Sequence, residues 1–182
     1  YKTMQELIEG ISESEKELLE YVSGQDPYKI RGAAPIEEVR FLAPIKNPKQ
    51  DVICLGINYY AHAEEAARFH DEAFGGERPQ PIYFSKRVNR AVGDGEPVDG
   101  HFDIVDSLDY EAELAVIIGK DAKNVAEADA LDYVFGYSVL NDVSARNLQT
   151  SHKQWYFGKS LDDFTPIGPW IVTKNEFENP PA

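Results

Sequence analysis

The run at residues 108–119, LDYEAELAVIIG, constrains the fold most strongly, because its polar and apolar side chains alternate. This pattern predicts a β-strand that ends at Gly119. Successive side chains of a strand point to opposite faces, so Glu111 and Glu113 share one face, about 7 Å apart at Cα. The other face carries Tyr110, Ala112, Leu114 and Val116. Two glutamates on one strand face are typical of a solvated edge, and they are also a pair of carboxylates that can serve a site.

A second apolar run, FGYSVLND at residues 135–142, predicts a strand that ends in a turn at Asp142. The segment SARNLQTSHKQW then predicts a helix capped by Ser144 or Asp142. The alternative to a cap is that Asp142 faces the two glutamates. Unit charges ~4 Å apart repel by roughly 4 kcal/mol at an effective dielectric of ~20. Such a cluster therefore requires a hard cation such as Mg²⁺, which takes oxygen ligands.

A candidate catalytic pair lies earlier in the chain. DVICLGIN at residues 51–58 predicts a strand, and YYAHAEEAARFHDEAF at residues 59–74 predicts a helix. His62 and Glu65 are three residues apart and so share a helix face. A glutamate that accepts a hydrogen bond from an imidazole raises its basicity, which suits it to deprotonate water. An exposed histidine in a glutamate-rich helix is the alternative interpretation.

Four further polar residues are candidates for substrate binding. Arg146 and Gln149 share one face of the helix after Asp142, and a guanidinium matches a carboxylate in shape. Lys159 lies in FGKSLDDF, where Gly158 permits close backbone approach, and it suits the stabilisation of a developing enolate or carboxylate. Lys86 in FSKR is a weaker candidate for substrate binding, and the alternative is that it only neutralises local charge.

Five segments, in order and at matching spacings, resemble the fumarylacetoacetate hydrolase family. They are ICLGINYYAHAEEA, PIYFSKRV, LDYEAELAVIIGK, VFGYSVLNDVSARNLQ and FGKSLDDFTPIGPWIVT. The resemblance implies that Glu111, Glu113 and Asp142 are the ligands of a Mg²⁺ or Mn²⁺ ion. It further implies that His62 and Glu65 are a catalytic pair. The residues that it places along the substrate site are Arg146, Gln149 and Lys159.

The resemblance also implies an α+β fold built around a mixed, rolled β-sheet, and a homodimer. Residues 1–50 would be an N-terminal lead-in of helix and loop, and residues 51–182 a catalytic domain that is incomplete at its C-terminus. Family members usually continue with further strands and a threonine-glycine loop, so we expect a longer polypeptide. An open sheet edge would otherwise invite association with another chain.

The implied activity is divalent-metal chemistry on a 2-oxo acid or its enol. Hydrolysis of an acylpyruvate-type substrate, decarboxylation and isomerisation are all compatible with one such site. The alternative is a non-catalytic protein that keeps the fold and binds a metabolite or a partner. Fold alone does not decide between the two classes.

Composition excludes other classes of partner. A net charge of -14 disfavours nucleic acid and anionic membranes, leaving a small anionic substrate as the expected ligand. The single cysteine, Cys54, has no intrachain disulfide partner and lies in an apolar run, which predicts a core position and a reducing compartment. Since neither a signal peptide nor a run of 18 apolar residues occurs, we expect a cytoplasmic location.

Three local predictions complete the pattern. Residues 1–24 predict one acidic helix with apolar positions at Leu7, Ile11, Leu18, Leu19 and Val22. EEVRFLAP at residues 37–44 predicts a short strand within a proline-rich loop. FHDEAFGGERPQ at residues 69–80 is either a lid over the site or a solvated loop.

Overall fold

The structure is a computed structural model that describes residues 1–56, 58 and 80–177. The predicted mixture of helices and strands is confirmed. The elements are α1 (Met4–Gly10), α2 (Glu13–Ser23), β1 (Val52–Gly56), β2 (Ile82–Lys86), β3 (Leu108–Asp109), β4 (Ala112–Ile118), β5 (Val134–Asn141), β6 (Ser144–Ala145), α3 (Arg146–Ser151), α4 (Tyr156–Lys159) and β7 (Ile167–Thr173). The predicted pair His62 and Glu65, and nearly all of the predicted lid, lie outside the described residues.

The strands of the described part form three antiparallel units, β1–β2, β3–β6 and β4–β5–β7. In the three-stranded unit, Ala112 pairs with Asn141 and Glu113 pairs with Leu140. This register places the end of β5 beside the start of β4. The backbone N–H of Asp142 consequently donates to the carbonyl of Glu111 at 2.8 Å. Strand pairing thus brings together two acidic segments that are thirty residues apart in sequence.

The strand predicted at residues 108–119 is divided into β3 and β4. Between the two, the backbone N–H of Glu111 donates to the side chain of Asn141 at 3.1 Å and not to a backbone carbonyl. The predicted alternation holds along β4, and it is the glutamate face that turns inward. Glu113 is half-buried and Ile117 is buried on that face, while Leu114, Val116 and Ile118 are exposed on the other. The interpretation of the glutamates as a solvated edge is therefore wrong.

Two predictions for the first fifty residues are also wrong. The single helix at residues 1–24 is two helices, because Ser12 caps α2 reciprocally with Glu15 and so starts a new helix. Residues 37–44 contain no strand; a 3₁₀ turn at Ile36–Glu38 is followed by irregular chain. That chain still packs inward, with the ring of Phe41 5.8 Å from the ring of Trp170.

The core contains two clusters of buried apolar side chains. One contains Val105, Val143, Ala145 and Phe164, and the other Ala43, Val88 and Ala91. In the described ranges, every helix is too short or too polar to cross a bilayer.

Gly158 sets the packing of α4 against α3. A Cβ at this position would lie 2.6 Å from the backbone nitrogen of Gln149 and 2.7 Å from the carbonyl oxygen of Ala145. Contacts this short with backbone atoms leave room only for glycine. The predicted close approach is confirmed, and it directs the next residue, Lys159, into the interior.

Candidate functional site

Six charged side chains form a row of alternating sign across the three strand units. In order along the row they are Asp109, Arg146, Glu111, Lys159, Asp142 and Lys86. The formal charges of the row cancel, which is how a buried polar network avoids an uncompensated charge.

Asp142 is 3% exposed and accepts one lysine at each carboxylate oxygen. Lys86 Nζ lies 2.7 Å from Oδ1, and Lys159 Nζ lies 2.7 Å from Oδ2. The helix that follows has Ala145 at its N-cap position with no side-chain cap. Asp142 and Ser144 are therefore not N-caps, and the carboxylate of Asp142 is buried between two lysines.

Glu111 is held from both sides. Its Oε1 lies 2.6 Å from Nη2 of Arg146, and its Oε2 accepts a hydrogen bond from Lys159 Nζ at 2.7 Å. Lys159 is 2% exposed and so bridges Glu111 and Asp142 from within the protein. Its third N–H has no acceptor among the described residues.

Lys86 is 0% exposed, and its ammonium group has three acceptors. These are Oδ1 of Asp142, the carbonyl of Val143 at 3.1 Å and the carbonyl of Lys159. Burial lowers the pKa of Lys86, and the charge and hydrogen bond of Asp142 oppose that shift. With all three N–H groups engaged, Lys86 joins the charged row through Asp142.

Arg146 and Gln149 share a helix face, as their spacing predicts: Nη1 of Arg146 donates to Oε1 of Gln149 at 2.8 Å. Arg146 also donates from Nε and Nη2 to Oδ2 of Asp109, at 3.0 and 2.8 Å. These bonds from Arg146 lower the pKa of Asp109. Burial opposes protonation of Arg146, but the bonds and charges of Asp109 and Glu111 together raise its pKa.

Asp109 was not assigned a role from the sequence, although it lies in the acidic segment. Its partner Arg146 is 37 residues away, and the contact depends on the pairing of β3 with β6. The alternation pattern of a single strand contains no signal for such a partner.

Glu113, the third predicted ligand, lies on the inward face of β4. Its negative charge contributes to the raised pKa of the Cys54 thiol. Burial, the negative charge of Asp142 and then that of Glu113 raise the pKa of the Cys54 thiol to about 12, against the opposing charges of Lys86 and Lys159. The cysteine is half-buried. It is thus a neutral thiol close to the site at physiological pH.

A divalent cation such as Mg²⁺ needs several oxygen ligands around one position. In residues 1–56, 58 and 80–177, no group of three or more His, Cys, Asp or Glu side chains is arranged to hold a metal ion. Two carboxylate oxygens nevertheless converge on one cationic atom, since Glu111 Oε2 and Asp142 Oδ2 each lie 2.7 Å from Lys159 Nζ. Hard anionic oxygens around one position are what Mg²⁺ and Mn²⁺ take as ligands. Two of the three predicted ligands, Glu111 and Asp142, therefore lie close together on either side of Lys159, and the three-carboxylate site stays a prediction.

The fold and the charged row define a mixed α+β protein with carboxylates and cations paired in its interior. A family model described as the fumarylacetoacetate (FAA) hydrolase C-terminal domain matches residues 51–182. The chain belongs to the fumarylacetoacetate hydrolase family, which confirms the resemblance seen in the sequence.

Three similar proteins indicate the range of this family. The oxaloacetate tautomerase YisK of Bacillus subtilis is 41% identical over 145 residues, which cover 80% of this chain and 46% of the tautomerase. A fumarylacetoacetate hydrolase from Exiguobacterium antarcticum superposes with a TM-score of 0.71 at 38% identity, over 98% of this chain and 57% of that structure. A maleylpyruvate hydrolase from Sphingobium sp. SYK-6, solved with manganese(II) and pyruvate, superposes with a TM-score of 0.66 at 28% identity. That match covers 97% of this chain and 56% of the hydrolase. The chain thus spans about half the length of these relatives.

Proposed function

We propose that the protein is a divalent-metal-dependent enzyme that acts on a 2-oxo acid or its enol. One observation carries the proposal: Glu111 Oε2, just before β4, and Asp142 Oδ2, just after β5, converge on a single cationic atom, Nζ of Lys159. The solved hydrolase with manganese and pyruvate supports it, because pyruvate is a 2-oxo acid. The tautomerase relative supports the same substrate class, since oxaloacetate is also a 2-oxo acid.

The residues of this chain take distinct roles in the proposal. Glu111, Glu113 and Asp142 would hold Mg²⁺ or Mn²⁺, which when bound polarises the 2-oxo group and stabilises negative charge on its oxygen. Lys159 keeps one N–H for an oxygen of the substrate. Burial makes that charge–charge contact stronger than it would be in water.

The Arg146–Gln149 pair suits the substrate carboxylate. Oε1 of Gln149 accepts from Arg146, which leaves the Nε2 donors of Gln149 without an acceptor among the described residues. Arg146 has five N–H groups. Four contacts to Asp109, Glu111 and Gln149 leave one of them for an anion. Directed donors beside a positive charge fit a carboxylate.

The proton-transfer step is proposed for His62 and Glu65, which lie outside the described residues. Formation of the enol of a 2-oxo acid is common to the three candidate reactions. Isomerisation moves the proton alone, decarboxylation releases carbon dioxide, and hydrolysis adds water at a second carbonyl. The His62–Glu65 pair would deprotonate the attacking water in the hydrolysis and move the proton in the isomerisation, whereas in the decarboxylation loss of carbon dioxide itself leaves the enolate.

A turnover panel tests the proposal. Metal-stripped protein is incubated with oxaloacetate, an acylpyruvate or fumarylacetoacetate, with and without Mg²⁺ or Mn²⁺, and products are identified by mass spectrometry and ultraviolet absorbance. We expect turnover of at least one substrate, lost on stripping and restored by metal. Binding of these acids without turnover of any of them would favour the non-catalytic alternative. Turnover that is indifferent to metal would refute the metal role.

A further inference from the structure

Asp109 holds one edge of the Arg146 guanidinium with a single carboxylate oxygen. Nε of Arg146 donates to Oδ2 of Asp109 at 3.0 Å, and Nη2 donates to the same oxygen at 2.8 Å. The other oxygen, Oδ1, accepts the backbone N–H of Tyr110 at 2.9 Å. Both oxygens of Asp109 therefore act as acceptors, and the hydrogen bond from the backbone restricts how the carboxylate can turn toward Arg146.

The backbone on both sides of this ion pair belongs to one strand unit. Asp109 ends β3, and its neighbour Leu108 pairs with Ala145, the residue before Arg146. The backbone N–H of Arg146 donates to the carbonyl of Ser107 at 2.7 Å. Arg146, the first residue of α3, is thus joined to β3 and its approach through its backbone and through its side chain.

The contacts of Arg146 leave its remaining donor beside Gln149. Contacts with Asp109 and Glu111 occupy Nε and Nη2 of the guanidinium. Nη1 has two N–H groups and donates one of them to Oε1 of Gln149 at 2.8 Å. Because Nε2 of Gln149 has no acceptor in the described part of the chain, the free donors belong to two side chains already in contact. Two neighbouring donors suit one carboxylate.

The direction of these donors matters more here than net charge. The guanidinium lies between two carboxylates, those of Asp109 and Glu111, so an approaching anion gains little from net charge at this point. A guanidinium is planar, and its five N–H groups point in fixed directions. The residue that holds the plane of the Arg146 guanidinium therefore also sets the direction of its free N–H.

We propose that Asp109 is a positioning residue for substrate binding, which orients Arg146 so that Nη1 and the amide of Gln149 meet one carboxylate of a 2-oxo acid. In this role Asp109 acts through Arg146 and does not contact the substrate. The inference rests on the proposed function for its substrate class and requires no particular metal ion.

Two probes that differ in one carboxylate test the inference. Pyruvate and its uncharged ester, methyl pyruvate, are titrated separately into wild type and Asp109→Asn, and dissociation constants are measured by NMR. Mg²⁺ is present throughout, so that any contribution of metal is common to all variants. The preference for pyruvate is the ratio of the two dissociation constants.

The preference should fall in Asp109→Asn. An asparagine amide has one acceptor oxygen, so it cannot accept from Tyr110 with one atom and from Arg146 with the other. A hydrogen bond between charged groups typically contributes about tenfold or more to affinity. We expect the preference for pyruvate to fall at least about fivefold, because the free N–H of Arg146 is no longer directed at the carboxylate.

This expected direction is opposite to that of a simple charge effect. Asp109→Asn removes a negative charge beside the site, which by itself strengthens the binding of an anion. An unchanged or increased preference for pyruvate therefore overturns the inference. The side chain of Asp109 is 45% exposed, so the substitution leaves the core intact.

Arg146→Met shows whether Asp109 acts through Arg146. The preference for pyruvate should fall in Arg146→Met, and addition of Asp109→Asn should lower it no further, because the group that Asp109 orients is already gone. A further fall of the same size in the double variant would overturn the inference.

Asp51→Asn is the matched control, because it removes an aspartate from another pair with an arginine. Asp51 lies 3.4 Å from the exposed Arg87. The control should keep the wild-type preference, and an equal fall in Asp51→Asn and Asp109→Asn would show a general effect of charge removal and overturn the proposal.

The wild-type protein separates this inference from the proposed function. If wild type turns over a 2-oxo acid and prefers pyruvate, an unchanged preference in Asp109→Asn contradicts the inference alone. Binding of neither probe, together with turnover of no 2-oxo acid, contradicts the inference and the proposed function together.

Discussion

Burial of Asp142, Lys86 and Lys159 is unfavourable in free energy, which indicates that these three residues have a role beyond folding. Removal of a charged group from water is unfavourable by several kcal/mol per ion. The attraction between the opposite charges offsets this penalty only approximately. Apolar side chains of similar volume would serve stability at least as well. Clusters of buried charges occur at functional sites, and Lys86, Lys159 and Asp142 form such a cluster beside a half-buried thiol.

The substitution Asp109→Asn tests how much the ion pair between Asp109 and Arg146 contributes to stability. Arg146 lowers the pKa of Asp109 below its usual value of 3.8. The stabilisation of the folded protein by this ion pair is therefore complete above pH 3.8 and is lost as the pH falls through the lower pKa of the folded state. Both side chains are about one-third exposed or more, so the loss on substitution should be only about 0.5–1 kcal/mol. Urea unfolding should show that difference unchanged between pH 5 and pH 8.

Asp51→Asn provides the control for Asp109→Asn. Asp51 lies 3.4 Å from the exposed Arg87, and its substitution should leave stability almost unchanged. A difference for Asp109→Asn that varied strongly between pH 5 and pH 8 would contradict the assigned direction of the pKa shift.

Individual residues differ in how far the sequence determines their partners. The Arg146–Gln149 contact follows from helix periodicity, because residues three apart share a face. Lys86 meets Asp142 across 56 residues, and Asp109 meets Arg146 across 37. Those contacts depend on where separate strands lie in space, which no local period encodes.

The elements that carry the site are short, and their ends matter more than their lengths. Asp142 follows β5, Glu111 precedes β4, and Lys159 ends α4. The strands at residues 52–56 and 134–141 were predictable from apolar runs, and the inward face of β4 was predictable from alternation. The break between β3 and β4 was not, because the side chain of Asn141, thirty residues away, takes the backbone N–H of Glu111.

At the scale of elements, Gly158→Ala tests the seating of α4 on α3. The added Cβ would lie 2.6 Å from the backbone nitrogen of Gln149, so one helix must move. We expect a loss of about 1–3 kcal/mol in the free energy of unfolding. Turnover should also fall, because Lys159 moves with α4. Urea unfolding and steady-state kinetics measure the two effects.

Gly24→Ala is the matched control for Gly158→Ala. The nearest backbone oxygen would lie 3.7 Å from its Cβ, and its φ of -84° suits alanine. Its stability should stay within about 0.5 kcal/mol of wild type. Equal losses in both variants would show that crowding at Gly158 is not the cause.

Across the described part of the molecule, the charged row links strand units that share no ladder. Lys86 comes from the β1–β2 unit, Glu111 and Asp142 from the ends of β4 and β5, and Asp109 from the β3–β6 unit. A cation that binds between Glu111 and Asp142 therefore acts on the relative placement of several elements at once. Since a net charge of -14 gives an anion no general attraction, the proposed function assigns the attraction of an anionic substrate to Arg146, Lys159 and the proposed metal ion.

Calorimetric titration of Mn²⁺ into metal-stripped protein tests the central claim, that these carboxylates hold one divalent ion. The account predicts one ion per chain for wild type, with affinity reduced at least about tenfold, or about 1.4 kcal/mol, in Glu111→Gln and in Glu113→Gln. Glu9→Gln, at a surface pair with Lys49, should match wild type. No Mn²⁺ binding by wild type, or full affinity in both site variants, would contradict the account.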